Sequence, residues 1–152
     1  MTTRELIDDF LGQNRMAFVG VSGNPKDFSR RLFGELRQRG YSVVPVNPYA
    51  KESLDGLSFV ARVQDIIPPV DCALVMTPPE VTDRVVRDCA EAGITRIWMH
   101  RGAGKGAVSQ AAIAFCEQNG IRVIPGCCPY MFLPKTGFIH RLHGFFSGVS
   151  RR

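Results

Sequence analysis

The chain lacks any apolar run close to the roughly 20 residues that a membrane-spanning helix requires. Its N-terminal stretch, "MTTRELIDDFLGQNR", carries Glu5, Asp8 and Asp9 within its apolar pattern. It therefore also lacks the uninterrupted apolar core of a secretory signal peptide. From these two absences we expect no membrane partner and a cytoplasmic location.

Cysteine spacing typical of redox motifs or zinc knuckles is also missing. The chain has 5 cysteines, and no two of them are separated by two residues as such motifs require. They are Cys72, Cys89, Cys116, Cys127 and Cys128. In a reducing compartment such cysteines are commonly small buried hydrophobic residues, and we expect that role for most of them.

Charge of one sign is not concentrated anywhere. The 19 basic and 14 acidic residues give a formal net charge of +5, which favours an anionic partner. The charges are scattered and no nucleic-acid-binding motif accompanies them, so we expect a small-molecule ligand rather than nucleic acid. With 152 residues, of which 45% are hydrophobic and 22% charged, the composition is that of a globular protein, and we predict a single domain over residues 1–152.

What the chain does contain is a regular alternation of two patterns. Five short apolar runs rich in β-branched residues predict strands over residues 16–21, 41–46, 72–77, 96–99 and 122–125. The stretches between them have apolar residues at helical spacing, and three of these end near a glycine, as helices commonly do. This alternation predicts an α/β fold: a doubly wound, Rossmann-like parallel sheet of five strands with helices on both faces.

Apolar stripes locate the predicted helices. The three stripes are Phe28, Leu32 and Leu36; Val81, Val85 and Cys89; and Val108, Ala111, Ala112 and Phe115. Ahead of the first strand, "TTRE" at residues 2–5 fits a capping box for a leading helix. Residues 48–69 predict an excursion over the sheet edge. Residues 126–152 form a tail rich in glycine, proline and aromatic residues.

The turn after the first predicted strand, "GVSGNP" at residues 20–25, lies where open parallel sheets bind ligands. Gly20 would let the backbone approach a diphosphate, and Ser22 and the helix N-terminus would donate hydrogen bonds to it. Three cations follow, namely Lys26, Arg30 and Arg31. The full dinucleotide fingerprint G-x-G-x-x-G is missing, and Asp27 would repel phosphate or cap the helix. A plain structural turn therefore stays open as an alternative.

The end of the second predicted strand lacks the carboxylate that a nicotinamide or flavin site places against the adenosine ribose. The chain reads "VVPVNPYAK", with Asn47 and Pro48 at that place and Lys51 just beyond. A lysine without a carboxylate suits a nucleotide whose ribose carries an extra phosphate. NADP and coenzyme A both meet this description.

Four segments, "VGVSGNP", "GYSVVPVNP", "VMTPPE" and "IPGCCP", occur in an order and spacing that resemble those of the CoA-binding family. That family is a small Rossmann-like domain similar to the N-terminal domain of the succinyl-CoA synthetase alpha subunit. The resemblance covers about residues 15–130. It implies that the cofactor is coenzyme A.

The resemblance also implies which residues contact the ligand. The diphosphate would contact Gly20, Val21 and Ser22, with Asn24 nearby and Ser29 opening the helix beneath it. The ribose 3′-phosphate would lie near Asn47, Pro48 and Lys51. The adenine would lie against Thr77, Pro78 and Pro79, and the end of the pantetheine arm would lie near Cys128.

The histidines are the remaining candidates for a catalytic or metal-binding role. His100, in "WMHRGAGKG" after the fourth strand, could act as an acid or base or hydrogen-bond the pantetheine amides. His140 and His143 are three residues apart and could form a zinc site with Cys127 or Cys128. The alternative is an amphipathic closing helix that packs on the sheet or on a second copy in a homodimer; its apolar residues are Phe138, Leu142, Phe145 and Phe146.

The sequence thus predicts a protein that binds coenzyme A or an acyl-CoA without turning it over. The phosphohistidine domain of a synthetase has no counterpart within these residues, and we assign no catalytic residue and no metal ligand. An NADP-dependent oxidoreductase and a zinc-binding regulatory protein that uses the C-terminal cysteines and histidines are the alternatives.

Overall fold

The computed structural model describes residues 1–51, 53–102, 104 and 106–133. In these residues helices and strands alternate along the chain. The strands are β1 (Arg15–Val19), β2 (Ser42–Val46), β3 (Cys72–Val75), β4 (Arg96–Met99) and β5 (Arg122–Pro125). The helices are α1 (Thr3–Leu11), α2 (Phe28–Gln38), α3 (Pro79–Glu91) and α4 (Gln110–Gln118).

The five strands form one parallel sheet in the order β2-β1-β3-β4-β5. Buried residues of α1 and α2 pack on one face of this sheet, and those of α3 and α4 pack on the other. The predicted fold, a doubly wound sheet with helices on both faces, is confirmed. The strand order reverses direction between β1 and β3, and such a switch point opens a crevice at the carboxyl ends of the strands.

Strand residues alternate between the two faces because successive side chains of a strand point in opposite directions. In β1, Phe18 lies with the residues of α1 and α2, whereas Ala17 lies with those of α3 and α4. Both faces are buried, which explains why the strands read as continuous apolar runs. On the first face the ring of Phe10 meets that of Trp98 edge-on, with 5.4 Å between their centroids.

The structure corrects three predicted boundaries. The strands predicted over residues 16–21 and 72–77 are each shorter at their carboxyl ends, because the chain turns out of the sheet after Val19 and Val75. Val108 precedes α4 rather than joining its stripe, since the Ser109 side chain caps the helix by accepting a hydrogen bond from the Ala112 N–H. The capping box predicted at Thr2 is confirmed by reciprocal hydrogen bonds with Glu5.

The segment after β2 crosses the edge of the sheet as predicted. Val60 pairs with Val46 at that edge, Leu54 is buried against α2, and Val63 is buried on the opposite face. Cys72, Cys89 and Cys116 are buried thiols, as expected, whereas Cys127 and Cys128 are half-buried. Within the described ranges, no helix has the length and apolar character needed to cross a membrane.

An ion cluster at the amino ends of the strands holds α1 on the sheet. One carboxylate oxygen of Asp9 accepts hydrogen bonds from Arg96 Nε at 2.7 Å and from Arg122 Nη1 at 3.1 Å. Burial alone would raise the pKa of Asp9, but the two arginines outweigh it and lower the pKa below its usual range. A carboxyl with a lowered pKa in the folded state stabilises the fold above its unfolded pKa, and this contribution is lost as the pH falls through the folded value.

We therefore expect Asp9→Asn to lower the free energy of unfolding by about 1 kcal/mol at pH 7. The difference from the wild type should begin to shrink as the pH drops below about 4, where Asp9 is protonated in the unfolded chain, and should disappear once the pH passes below the lowered pKa of the folded state. Urea denaturation at pH 7 and pH 3 measures both values. Asp8→Asn is the matched control, because Asp8 pairs with Arg4 on the exposed side of the same helix. Equal losses for the two variants at pH 7 would contradict the prediction.

Candidate functional site

The carboxyl ends of β1 and β2 are joined directly by the side chain of Asn47. Its Nδ2 donates to the Val21 carbonyl at 3.0 Å, and its Oδ1 accepts from the Tyr49 N–H at 2.9 Å. Asn47 therefore holds the turn after β1 against the turn after β2. Val21 is fully buried and its carbonyl accepts from Asn47, so this residue supports the turn from beneath.

Gly20 is required by a close approach between β1 and β3. Its φ is +94°, a value that L side chains rarely adopt. A Cβ at this position would lie 2.8 Å from the Met76 carbonyl oxygen and 3.2 Å from Cγ2 of Thr77. Its first role is thus to bring two strand ends together, which also draws the predicted diphosphate turn against Thr77.

The turn between β1 and α2 is organised by its own polar groups. The Ser22 N–H donates to Ser29 Oγ, and Ser22 Oγ accepts from the Asn24 N–H, both at 2.9 Å. Arg30 Nη1 donates to the Gly23 carbonyl at 3.1 Å. The Ser22 backbone N–H is therefore engaged within the protein, whereas its hydroxyl hydrogen remains available to donate. Asp27 precedes α2, but its side chain makes no capping hydrogen bond.

A cleft of about 300 Å³ lies between this turn and the segment after β2. We call it the cationic cleft. Its lining residues are Gly23, Arg30, Tyr49, Ala50, Lys51, Ser53 and Phe59. Arg30 enters from α2 and Lys51 from the opposite wall, and none of the described lining residues is acidic. The start of α2 adds its partial positive charge, so the cleft suits an anion.

The turn from β3 into α3 is short and stiff. Thr77 Oγ1 lies 2.8 Å from Oγ1 of the buried Thr82, which also donates to the Pro78 carbonyl at 3.2 Å. Pro79 occupies the first helical position, where a proline fits because no hydrogen-bonded N–H is lost. These residues form a preformed apolar wall beside Gly20.

His100 leaves β4 at the same edge and is held by its backbone. Its N–H donates to Val75 at 3.0 Å, and its carbonyl accepts from Ala107 at 2.8 Å. The residue is 8% exposed, and its Nε2 atom is buried without a hydrogen-bond partner among the described residues. Burial lowers the pKa of His100, so the imidazole is neutral at pH 7.

One aromatic ring lies beside this histidine and a second lies beside that ring, and the three side chains form a group that we call the aromatic cluster. The Phe28 ring lies 5.7 Å from the His100 ring, and the Tyr130 ring lies 5.7 Å from the Phe28 ring. Phe28 is 37% exposed and Tyr130 is 38% exposed. The cluster therefore exposes part of two aromatic rings to solvent next to a residue with a buried, unpartnered polar atom.

Cys127 and Cys128 follow β5 next to this cluster. Trp98 Nε1 donates to the Gly126 carbonyl at 2.8 Å and to the Cys127 carbonyl at 3.2 Å, which ties the segment to the core. Burial raises the pKa of Cys128; a hydrogen bond with the Tyr130 backbone opposes this, and neighbouring Cys127 adds to it. The thiolate of Cys128 is thus disfavoured.

The structure brings the sequence-predicted site residues to one edge of the sheet. Of those from the turns after β1, β2 and β3, Lys51 lines the cationic cleft and Thr77 lies beside Gly20, while His100 and Cys128 follow β4 and β5. Sequence analysis placed Phe28 on a buried stripe, but the ring points to His100 instead. It also missed Tyr130, whose only sequence signal was its place in "CCPYM". His140 and His143, the zinc ligands of the alternative interpretation, and the tail helix lie outside the described residues.

Most of this chain matches a known protein family and several known proteins. The family model described as CoA binding domain matches residues 14–133. The Bacillus subtilis protein YneT is 29% identical over 114 residues, which cover 75% of this chain and 81% of YneT. The alpha subunit of an ADP-forming acetate–CoA ligase II from Pyrococcus furiosus is 25% identical over 135 residues, which cover 83% of this chain but only 29% of the subunit.

Solved structures show the same fold. A protein from Pyrococcus horikoshii superimposes with a TM-score of 0.77 over 95% of this chain and 94% of its own, at 22% sequence identity. At that identity the likeness concerns the architecture alone. It supports the assignment of the sheet and its helices to a Rossmann-like domain.

Proposed function

Because this chain belongs to the CoA-binding domain family, we propose that it binds coenzyme A or an acyl-CoA at the carboxyl edge of its sheet without turning it over. The observation that carries the proposal is the cationic cleft. Two cations from separate elements, Arg30 and Lys51, face the same space beside the start of a helix. A ligand with several phosphate groups matches this arrangement.

Each part of the ligand has a proposed contact. The diphosphate lies along Gly20, Val21 and Ser22, where the Ser22 hydroxyl donates to it, while Asn24 and Ser29 hold the turn in place. The ribose 3′-phosphate lies between Arg30 and Lys51, near Asn47 and Pro48. The adenine rests on the wall formed by Thr77, Pro78 and Pro79, since an apolar and stiff surface suits a flat base.

A binding role rather than a catalytic one is proposed from the surroundings of His100. Within the described part of the chain, no carboxylate hydrogen-bonds its ring to set a tautomer, and the apolar ring of Phe28 lies against it. General acid–base catalysis by histidine ordinarily uses such an orienting group. The ligase subunit that resembles this chain is also much longer than the matched region, so its ligation reaction is not assigned here.

A thermal-shift panel tests the proposal. At a concentration about 100 times its dissociation constant, coenzyme A should add about 2.7 kcal/mol to the free energy of unfolding. For a chain of this size, the melting temperature then rises by roughly 5 to 10 °C. Dephospho-coenzyme A should produce a smaller rise, because it lacks the 3′-phosphate that we place between the two cations. Acetyl-CoA should match or exceed coenzyme A.

NADP and NAD complete the panel as comparison ligands, because an oxidoreductase would respond to them instead. A rise with NADP that equals or exceeds the rise with coenzyme A would overturn the proposal. Calorimetric titration with coenzyme A gives the dissociation constant independently. Absence of heat at several temperatures, together with an unchanged melting temperature, would also overturn it.

A further inference from the structure

The buried Nε2 atom of His100 is the most informative polar group that the proposed phosphate contacts leave unused. A buried polar atom without a partner costs about 1 to 3 kcal/mol, and such atoms are rare in folded proteins. His100 Nε2 has no hydrogen-bond partner among the described residues, although the residue is only 8% exposed. A ligand group would supply the partner that is missing.

The surroundings of this atom define the chemistry of that group. The ring of Phe28 lies against His100, and Tyr130 lies against Phe28. Arg31 stacks its guanidinium over the outer side of the Phe28 ring, 5.6 Å from the centroid. Because the imidazole is neutral and the ring that lies against it is the apolar ring of Phe28, the site favours an uncharged polar group carried on short apolar linkers over an anion.

The position of the aromatic cluster relative to the cationic cleft indicates in which direction a ligand bound in the cleft would extend. Phe28 and Arg30 both belong to the first turn of α2, and Arg30 lines the cleft while Phe28 lies on His100. A molecule whose phosphates occupy the cleft and whose other end crosses the start of α2 therefore reaches the aromatic cluster. Coenzyme A has such an end, since its pantetheine arm consists of amide groups joined by short apolar links.

We propose that the aromatic cluster is a second subsite that recognises the amide-bearing arm of the ligand, with His100 Nε2 as the hydrogen-bond partner of one amide. In this proposal the half-exposed Phe28 ring, which lies against the His100 ring, shifts to admit the arm and then packs against its apolar links. This inference rests on the proposed function, but it concerns residues that the phosphate contacts do not use. It also explains why a neutral, buried histidine is kept at a ligand-facing strand end at a cost to stability.

The test compares coenzyme A with adenosine 3′-phosphate 5′-diphosphate, which has the same phosphates and no arm. Calorimetry measures both dissociation constants for the wild type and for His100→Phe, which keeps a ring and removes both nitrogens. The wild type should bind coenzyme A about tenfold more tightly than the arm-free nucleotide. His100→Phe should lose that tenfold preference while its affinity for the arm-free nucleotide stays unchanged.

The melting temperature of the ligand-free protein provides a second measurement, in which His100→Phe should gain stability although it loses binding preference. Without ligand, His100→Phe should melt about 3 °C above the wild type, because the substitution removes a buried polar atom that has no partner. His100→Gln should retain most of the preference for coenzyme A, since its amide can still form a hydrogen bond. Asp8→Asn, on α1 and remote from the cluster, is the control for both ligands.

A second variant keeps the test decisive if His100→Phe folds poorly. Phe28→Ala removes a half-exposed ring and should also abolish the preference for the arm-bearing ligand. Equal affinity of the wild type and both variants for coenzyme A would overturn the arm subsite and leave the proposed function standing, as would an equal loss for both ligands. If the wild type binds neither ligand, the proposed function fails and the subsite fails with it.

Discussion

Replacement of Gly106 with alanine is expected to lower the free energy of unfolding by about 3 kcal/mol or more, because two separate costs add at this position. The first is its φ of +61°, which is unfavourable for a residue with a side chain. The second is steric. A Cβ built on Gly106 would overlap the carbonyl oxygen of His100 and lie 2.7 Å from Cα of Arg101. Both of these atoms belong to the backbone, so a side-chain rotation cannot relieve the overlap.

Gly104 provides the matched control in the same loop. Its φ is +80°, but a Cβ there would meet nothing within 4 Å. Gly104→Ala should therefore show only the conformational cost, about 1 kcal/mol. Urea denaturation followed by Trp98 fluorescence measures both variants, since the protein has only 1 tryptophan. Similar losses for the two variants would show that the close approach at Gly106 contributes nothing.

The Gly106 variant also has an expected effect on binding. The carbonyl that the new Cβ would displace is the one that accepts from Ala107 and holds the exit of β4. His100 would move with it. We therefore expect a folded Gly106→Ala protein to lose the preference for coenzyme A over its arm-free analogue, whereas Gly104→Ala should keep it.

Removal of both cations of the cleft is expected to weaken coenzyme A binding about a hundredfold. Hydrogen bonds to charged groups contribute about 1.5 kcal/mol or more each, and two of them correspond to about two factors of ten in the dissociation constant. Arg30→Ala with Lys51→Ala removes both. Arg30 also donates to the carbonyls of Ser22 and Gly23, so Arg30→Lys is added to keep the charge while the forked geometry is lost.

Single variants show which residue contacts which phosphate group of the ligand. If Lys51 contacts the 3′-phosphate, Lys51→Ala should bind coenzyme A and dephospho-coenzyme A almost equally, whereas the wild type should prefer coenzyme A. Arg37→Ala is the matched control, because Arg37 lies in the last turn of the same helix and lines a different groove along β2. Calorimetry at two salt concentrations measures these affinities, and wild-type binding should weaken with salt. Unchanged coenzyme A affinity in the double variant would remove the cleft from the site.

Several features of the fold could be predicted because they depend on neighbours along the chain. The leading helix follows from Thr2 and Glu5, which are three residues apart and cap one another. The strands follow from runs such as residues 72–75, which are apolar because both faces of the sheet are covered. The carboxyl ends of parallel strands all lie at the same edge of a sheet. Asn47 and His100, which follow β2 and β4, could therefore be predicted to share that edge.

Other features depend on contacts between residues far apart in the chain. The predicted stripe placed Phe28 in the core because its spacing to Leu32 is helical, yet the ring lies on that of His100, which follows β4. The need for glycine at position 106 was not predicted either, since it arises from the approach of the loop to the carbonyl of His100. A pattern of neighbouring residues in the sequence does not indicate how closely two separate backbone segments approach each other.

The sequence by itself determined the order of strands and helices along the chain, the two buried faces and the shared edge at which the residues of the proposed ligand site lie. Burial and capping patterns involve residues that are close along the chain. Each of the four family segments is likewise a short continuous stretch, so both can be recognised in the sequence. Only the tertiary structure decided that Arg30 faces Lys51 across a cleft and that His100 Nε2 is buried without a described partner. These relations depend on how closely separate strand exits approach one another, which the packing of the whole sheet sets.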